Sequence, residues 1–186
     1  MLAGQAHHKT GETMLKARRT PILAILAGIV FTLTAAQTVG TAEAGEQTIR
    51  QYGRITKVVD GDTVDVRLRS GKEKRIRLIG IDTPEVYPEV ECGGLRASRS
   101  AKRLLPVGTR VKLVSDPTQA RVDSYDRLLR YVIKRSTGRD INRAQVWLGM
   151  ATVYVYDNTP FQRTQSYRDA QRSARNHDRG IWKNCR

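Results

Sequence analysis

From Gln51 onward, apolar and polar side chains mix in short runs of strand length separated by turn residues. Gln51–Val59 and Thr63–Leu68 are rich in β-branched residues, and Asp60-Gly61 between them predicts a tight hairpin turn. Gly71-Lys72 marks a second turn, and a third strand follows over Arg75–Ile81 with Ile76, Leu78 and Gly80 on one face. Asp82-Thr83-Pro84 stops that strand, because Pro84 has no N–H to give to a ladder. Glu85–Cys92, which contains Pro88, reads as a loop.

The pattern then becomes helical. Leu95–Leu105 places Ala97, Ala101, Leu104 and Leu105 on one helical face, with Arg96, Arg99, Lys102 and Arg103 elsewhere, until Pro106 and Gly108 end it. Two further strands, Arg110–Val114 and Leu128–Arg135, flank the polar loop Ser115–Arg127. A second helix is predicted over Asp140–Leu148 with Ile141, Ala144 and Leu148 inward. The third covers Tyr167–Asn176, with Tyr167, Ala170 and Ala174 on one side and Gly180 as its stop. This order predicts a mainly β protein with helices, of the α+β class: a five-stranded OB-type Greek-key barrel with about three helices.

The chain has 186 residues, enough for one ordinary domain with a core and short extensions. Its N-terminal part differs in character. Lys16, Arg18 and Arg19 precede the apolar run Pro21–Ala36, and Ala42-Glu43-Ala44 offers small residues around a cleavage site. An export signal over residues 1–44, starting at Met1 or Met14, and a single domain over residues 45–186 are the expectation. The secreted or periplasmic space follows. The run contains Thr32 and Thr34 and is short of the roughly 20 residues of a bilayer span, so a membrane anchor through residues 21–36 is the alternative.

Charge sharpens the picture. There are 33 Lys+Arg against 18 Asp+Glu, a formal +15. Removing the four Lys/Arg and two Asp/Glu of residues 1–44 leaves 29 against 16, so the excess belongs to the remaining domain. It fits a polyanionic partner: DNA, RNA or an anionic membrane surface. Two cysteines in an exported chain most simply form one disulfide, Cys92–Cys185. With His177 the one histidine after residue 44, they cannot build a structural zinc site.

Residues 60–85 carry the candidate chemistry. Asp60, Asp62, Asp82 and Glu85 fall in one short segment with Arg77 between them. Carboxylates at strand ends can hold a hard divalent cation through oxygen, and an arginine can meet phosphate. Each element alone has an ordinary reading: a hairpin turn at Asp60-Gly61, a strand end and helix cap at Asp82–Glu85, surface charge at Arg77 and Arg127. Tyr154 and Tyr156 could be one face of an extended segment packed on the core. The spacing does not fit an EF-hand loop, because Gly61 falls at the wrong place.

The four segments Asp60–Thr63 (DGDT), Arg77–Glu85 (RLIGIDTPE), Asp123–Arg127 (DSYDR) and Val153–Tyr156 (VYVY) closely resemble, in order, the staphylococcal nuclease or thermonuclease family. The resemblance runs from about Gly53 to Trp182 and implies an OB-type barrel with three helices. It implies that Asp62 and Asp82, with the Thr83 backbone carbonyl, hold Ca²⁺, and that Asp60 lies behind the same metal. Glu85 would activate the attacking water, and Arg77 and Arg127 would grip the scissile phosphate. Tyr125 and Tyr154 would contact a terminal phosphate, with Tyr156 beside the base. Two departures stand out: Ser124 where the family often has lysine, and Asp126 where glycine is usual before Arg127.

The resemblance therefore implies a Ca²⁺-dependent nuclease that hydrolyses DNA and RNA with little sequence preference and leaves 3′-phosphate ends. It is expected to be a monomer without an obligate protein partner, touching membrane only if the signal stays uncleaved. The rival reading is a non-catalytic nucleic-acid-binding OB module, which is expected to lose members of the Asp62, Asp82, Glu85, Arg77 and Arg127 set. Neither Asp62 nor Glu85 is expected in the core.

Overall fold

The computed structural model describes residues 47–185. The export-signal reading of residues 1–44, the choice between Met1 and Met14, and the anchor alternative at 21–36 lie outside them. Strands β1 (Arg50–Val58), β2 (Thr63–Leu68) and β3 (Glu73–Leu78) form an antiparallel meander. The two-residue strand β4 (Ile81–Asp82) follows, then helix α1 (Gly94–Leu104) and strands β5 (Arg110–Val114) and β6 (Leu128–Lys134). Beyond them come α2 (Ile141–Trp147), β7 (Thr152–Val153), α3 (Thr164–Asn176) and the single-turn α4 (Ile181–Asn184).

The barrel closes in the order β1-β2-β3-β6-β5 because β1 also pairs with β5, and β3 and β6 run parallel. This is the expected OB-type barrel. Alternation fills its interior with Val64, Val66, Ile76, Leu78, Val111 and Leu113, each at most 2% exposed. On β1 the alternation slips. A bulge at Thr56, between the Ile55–Val66 and Lys57–Asp65 pairs, lets both Ile55 and Val58 face inward.

The elements depart from the pattern reading in four respects. The third strand does not run through to Ile81. It ends at Leu78, because Gly80 takes φ 76° and the Phe161 ring packs where its Cβ would be. Ile81–Asp82 then leaves the barrel and pairs with Thr152–Val153 in a separate two-stranded sheet. Helix α3 starts at Thr164, where the side-chain hydroxyl donates to the Phe161 carbonyl at 2.6 Å, and Gly180 begins α4 as well as ending the preceding segment.

The fourth departure matters most for the site. The inward face of α2 is Ile141, Asn142, Gln145 and Val146, while Ala144 and Leu148 are only partly buried. Two buried amides override the apolar periodicity, since each hydrogen-bonds buried backbone groups. Asn142 Nδ2 donates to the carbonyls of Ile79 (3.0 Å) and Arg130 (3.2 Å), and its Oδ1 accepts from the Val132 amide (3.0 Å).

Candidate active site

The connection between β1 and β2 is longer than a two-residue hairpin. Val59–Asp62 lie outside both strands, and the Asp60 carboxylate organises them. Its Oδ1 accepts from the backbone amides of Asp62 (3.0 Å) and Thr63 (2.7 Å). From α2, Gln145 Nε2 donates to the Gly61 carbonyl at 2.8 Å. A Cβ at Gly61 would lie 2.7 Å from the Thr83 side chain, so glycine lets the turn close against the residues after β4.

Asp62 is 5% exposed, which corrects the expectation that it stands outside the core. Burial of a carboxylate costs several kcal/mol unless it is paired. Here Oδ2 accepts from the Thr83 amide (3.0 Å) and hydroxyl (2.9 Å), and Oδ1 from the Thr63 hydroxyl (3.0 Å). Arg77 Nε stands 3.2 Å from the same Oδ1. The Arg77 guanidinium also donates to Asp82 Oδ1 at 3.0 Å and to the carbonyls of Ile81 (2.7 Å) and Leu78 (3.0 Å). One guanidinium thus joins β3, β4 and the β1–β2 turn.

The carboxylates crowd one another. Burial, then the Asp62 charge, pushes the Asp60 carboxyl above its ordinary value. Asp82 is raised chiefly by burial, with Arg77 opposing and Asp62 adding to the rise. Glu85 is raised by burial and then by Asp62, Asp60 and Asp82 together. Three acids that feel the same negative field form a place where added positive charge is favoured.

Glu85 sits on a fastened loop. Its amide donates to Glu91 Oε2 (2.9 Å) and its carbonyl accepts from the Glu91 amide (3.0 Å). A Cβ at Gly94, the first residue of α1, would lie 2.2 Å from that carbonyl, so the helix start touches the Glu85 backbone directly. Next to it, Cys92 and Cys185 are joined in a disulfide with Cα atoms 5.7 Å apart, tying α4 to the loop. The disulfide expected from the sequence is present. Gln145, Glu91 and Gly94 were not legible as site residues; the Gly93-Gly94 pair before a helix was the available signal.

Arg127 has its own acidic partner. It lies one residue before β6, whose Leu128 and Leu129 pair in parallel with Ile76 and Arg77 of β3. Its Nε donates to Asp123 Oδ2 at 2.6 Å, while Asp123 Oδ1 accepts from the Arg127 and Tyr125 amides. Burial alone would raise Asp123, but these donors outweigh it and hold its carboxyl below the ordinary range. Tyr125 is 78% exposed, with the Arg127 guanidinium 5.1 Å from its ring centroid. Tyr154 and Tyr156 do not pack on the core. They are exposed, while the alternating Val153 and Val155 pack against it. The Tyr154 amide donates to the Gly80 carbonyl at 3.1 Å, which seats it beside β4.

The donor set that could take a metal is all hard oxygen: Asp62, Asp82 and the Thr83 carbonyl. That suits Ca²⁺ or Mg²⁺ and excludes a soft-ligand site. Among the described residues no three His, Cys, Asp or Glu side chains form a ready cage, so water or substrate oxygens would have to complete the shell. The raised carboxyls of Asp60, Asp82 and Glu85 are the feature a cation would relieve.

The class is that of a small α+β protein, an OB-type barrel that carries a carboxylate–guanidinium cluster. The family model described as staphylococcal nuclease homologue matches residues 75–184. The chain is 34% identical over 150 residues to the thermonuclease of Staphylococcus hyicus, covering 78% of this chain and 81% of that one. It is 33% identical over 135 residues to the thermonuclease of Staphylococcus intermedius, covering 69% and 74%. It is also 31% identical over 139 residues to endonuclease YhcR of Bacillus subtilis, covering 70% of this chain and 11% of that longer protein. The chain belongs to the staphylococcal nuclease family.

Proposed function

We propose that the chain hydrolyses phosphodiester bonds in DNA and RNA with little sequence preference, depends on Ca²⁺, and leaves 3′-phosphate ends. What carries this reading is the Arg77 guanidinium, 3.2 Å from Asp62 Oδ1 and 3.0 Å from Asp82 Oδ1, with Glu85 on the adjoining loop. A binding module has no need to bury Asp62 among four donors or to hold a crowded acid nearby.

In this reading Asp62, Asp82 and the Thr83 carbonyl hold the cation, with Asp60 shaping the turn that presents Asp62. When bound, Ca²⁺ polarises a phosphoryl oxygen and offsets the negative charge of the site. Glu85, on the loop that follows Asp82 and Thr83, takes a proton from the attacking water. The water oxygen bonds to phosphorus as the P–O5′ bond breaks. The electron pair of that bond leaves with O5′, which takes a proton from water and becomes a 5′-hydroxyl. Arg77 and Arg127 donate to the phosphoryl oxygens, where a planar guanidinium offers two parallel hydrogen bonds. The Asp82 contact is half exposed and is the one that phosphate displaces with least loss. Tyr125 and Tyr154 meet a terminal phosphate, and Tyr156 lies along the base.

The protein works outside the cytoplasm on this account, as a secreted or periplasmic monomer freed of residues 1–44. The Cys92–Cys185 disulfide supports an oxidising compartment. N-terminal sequencing of the exported form should begin near Gly45; an intact N-terminus recovered from membranes would favour the anchor. The activity is tested by incubating single-stranded DNA with Ca²⁺ or with excess EGTA, then treating products with phosphatase. Cleavage confined to calcium, with ends that polymerase extends only after phosphatase, is the expected result. Equal cleavage in EGTA would defeat the calcium assignment.

A further inference from the structure

Away from the Asp62–Arg77 cluster, at the other end of the β1–β2 hairpin, lies an open cleft of about 790 Å³. The Gly53–Leu68 pair is at this end and the Val58–Val64 pair at the other, so about 17 Å of strand separates the two at 3.3 Å per residue. Among the described residues lining it are five arginines, Arg54, Arg67, Arg69, Arg110 and Arg135, and no acid or lysine. All five are exposed. The acid at the rim is Glu73, 3.9 Å from Arg67 with both side chains more than half exposed, a pair that neutralises little.

Five like charges around one concavity repel each other, though Arg54 Nη1 also donates to the Gly108 carbonyl at 3.4 Å. An anion is the group that relieves this. The cleft also holds an aromatic ring: Tyr52 is 41% exposed, with the Arg135 guanidinium 5.3 Å from its centroid. Its walls are fixed by backbone bonds, Arg69 N to Tyr52 O (2.8 Å) and Arg135 N to Arg110 O (3.0 Å). A preformed groove loses little entropy when it is filled. A positive track beside a stacking platform is the arrangement that takes unpaired nucleic acid, phosphates on the guanidiniums and a base on the ring.

We propose that this cleft is a second nucleic-acid site, which holds a single strand at a distance from the bond being cut. That the strand is substrate rests on the nuclease reading; the binding itself does not. Long strands then gain affinity that a dinucleotide cannot.

The test uses the full chain and a fluorescein-labelled single-stranded DNA of about 20 nucleotides in EGTA, read by anisotropy across salt. A Tyr52→Ala/Arg69→Ala/Arg135→Ala variant is compared with wild type and with a control losing two charges on α1, Arg99→Ala/Arg103→Ala. Loss of stacking alone weakens binding about 5- to 100-fold, and removal of two phosphate contacts lowers the log–log salt slope by about 1.4. With Ca²⁺, KM for the long strand should rise while kcat/KM for a dinucleotide substrate stays at the wild-type value. Equal affinity and slope in wild type and variant overturn the proposal. So does an equal loss in the α1 control, a matching loss on the dinucleotide, or displacement of the strand by phosphatidylglycerol vesicles with no effect from the cleft substitutions. If wild type cuts nothing yet the cleft variant loses strand affinity, the nuclease reading fails and the cleft stands.

Discussion

Arg77→Lys separates structural from chemical roles at the rim of the barrel. The guanidinium spreads four contacts over Asp62, Asp82 and the carbonyls of Leu78 and Ile81, and its side chain is only 15% exposed. A lysine ammonium is a single point on a flexible stem and cannot reach both carboxylates and both carbonyls. Two or more buried acceptors then lose their donor, at about 1–3 kcal/mol each before water fills in, for a net loss of about 2–4 kcal/mol. At roughly 3 °C per kcal/mol for a domain of this size, Tm falls by about 6–12 °C. Thermal unfolding in EGTA reads this without metal. On single-stranded DNA below the melting range, kcat should drop about 10²–10³-fold as one charge-stabilising donor set is lost. Affinity should change much less, since the positive charge remains. A variant with wild-type Tm would show that the four contacts are not held in solution. A variant that melts early but turns over normally would show that Arg77 is a structural clamp and no more.

Gly94→Ala should destabilise the protein and lower kcat, although alanine ordinarily improves a helix by up to about 1 kcal/mol. The new Cβ would meet the Glu85 carbonyl at 2.2 Å, and a stabilised, fully active variant would refute that contact. Asp116 is buried, a tendency that raises its pKa, but donors from Tyr131, Thr118 and Gln162 outweigh this and hold it below the ordinary range. A depressed folded-state pKa contributes stability above the unfolded value and loses it as pH falls through the folded one. Urea unfolding should therefore show Asp116→Asn far less stable than wild type near pH 7 and closer to it near pH 3; a constant gap would contradict the assignment. Cys92→Ser opens a link across 93 residues and should cost about 2–4 kcal/mol in urea unfolding, with no change expected if the thiols are free.

The barrel was legible because its strands obey simple alternation: Val64 and Val66 on β2, Ile76 and Leu78 on β3, and the two later strands bounded by turn residues. What the pattern missed are features made by contacts distant in sequence. Nothing near Gly80 announces that Phe161 will pack on it and turn Ile81–Asp82 towards Thr152–Val153. Two-residue strands leave no periodic trace. The apolar face assigned to α2 was rotated because Asn142 and Gln145 look like surface residues until the carbonyls of Ile79, Arg130 and Gly61 are seen beside them as acceptors. The acids and arginines of the candidate site were named through the resemblance of four ordered segments to a known family. The burial of Asp62 could not, since it depends on Thr83 reaching back across the barrel rim.

The central claim is that this rim is a hydrolytic site with Glu85 as its base, and Glu85→Gln tests it most directly. The side chain is exposed and the loop is held through its backbone amide and carbonyl, so the substitution leaves the fold in place. Single-turnover cleavage of single-stranded DNA at saturating Ca²⁺, with circular dichroism as the folding control, should slow by about 10²–10⁴-fold while strand affinity holds. Wild-type cleavage by a folded Glu85→Gln protein would place the base elsewhere and contradict the account.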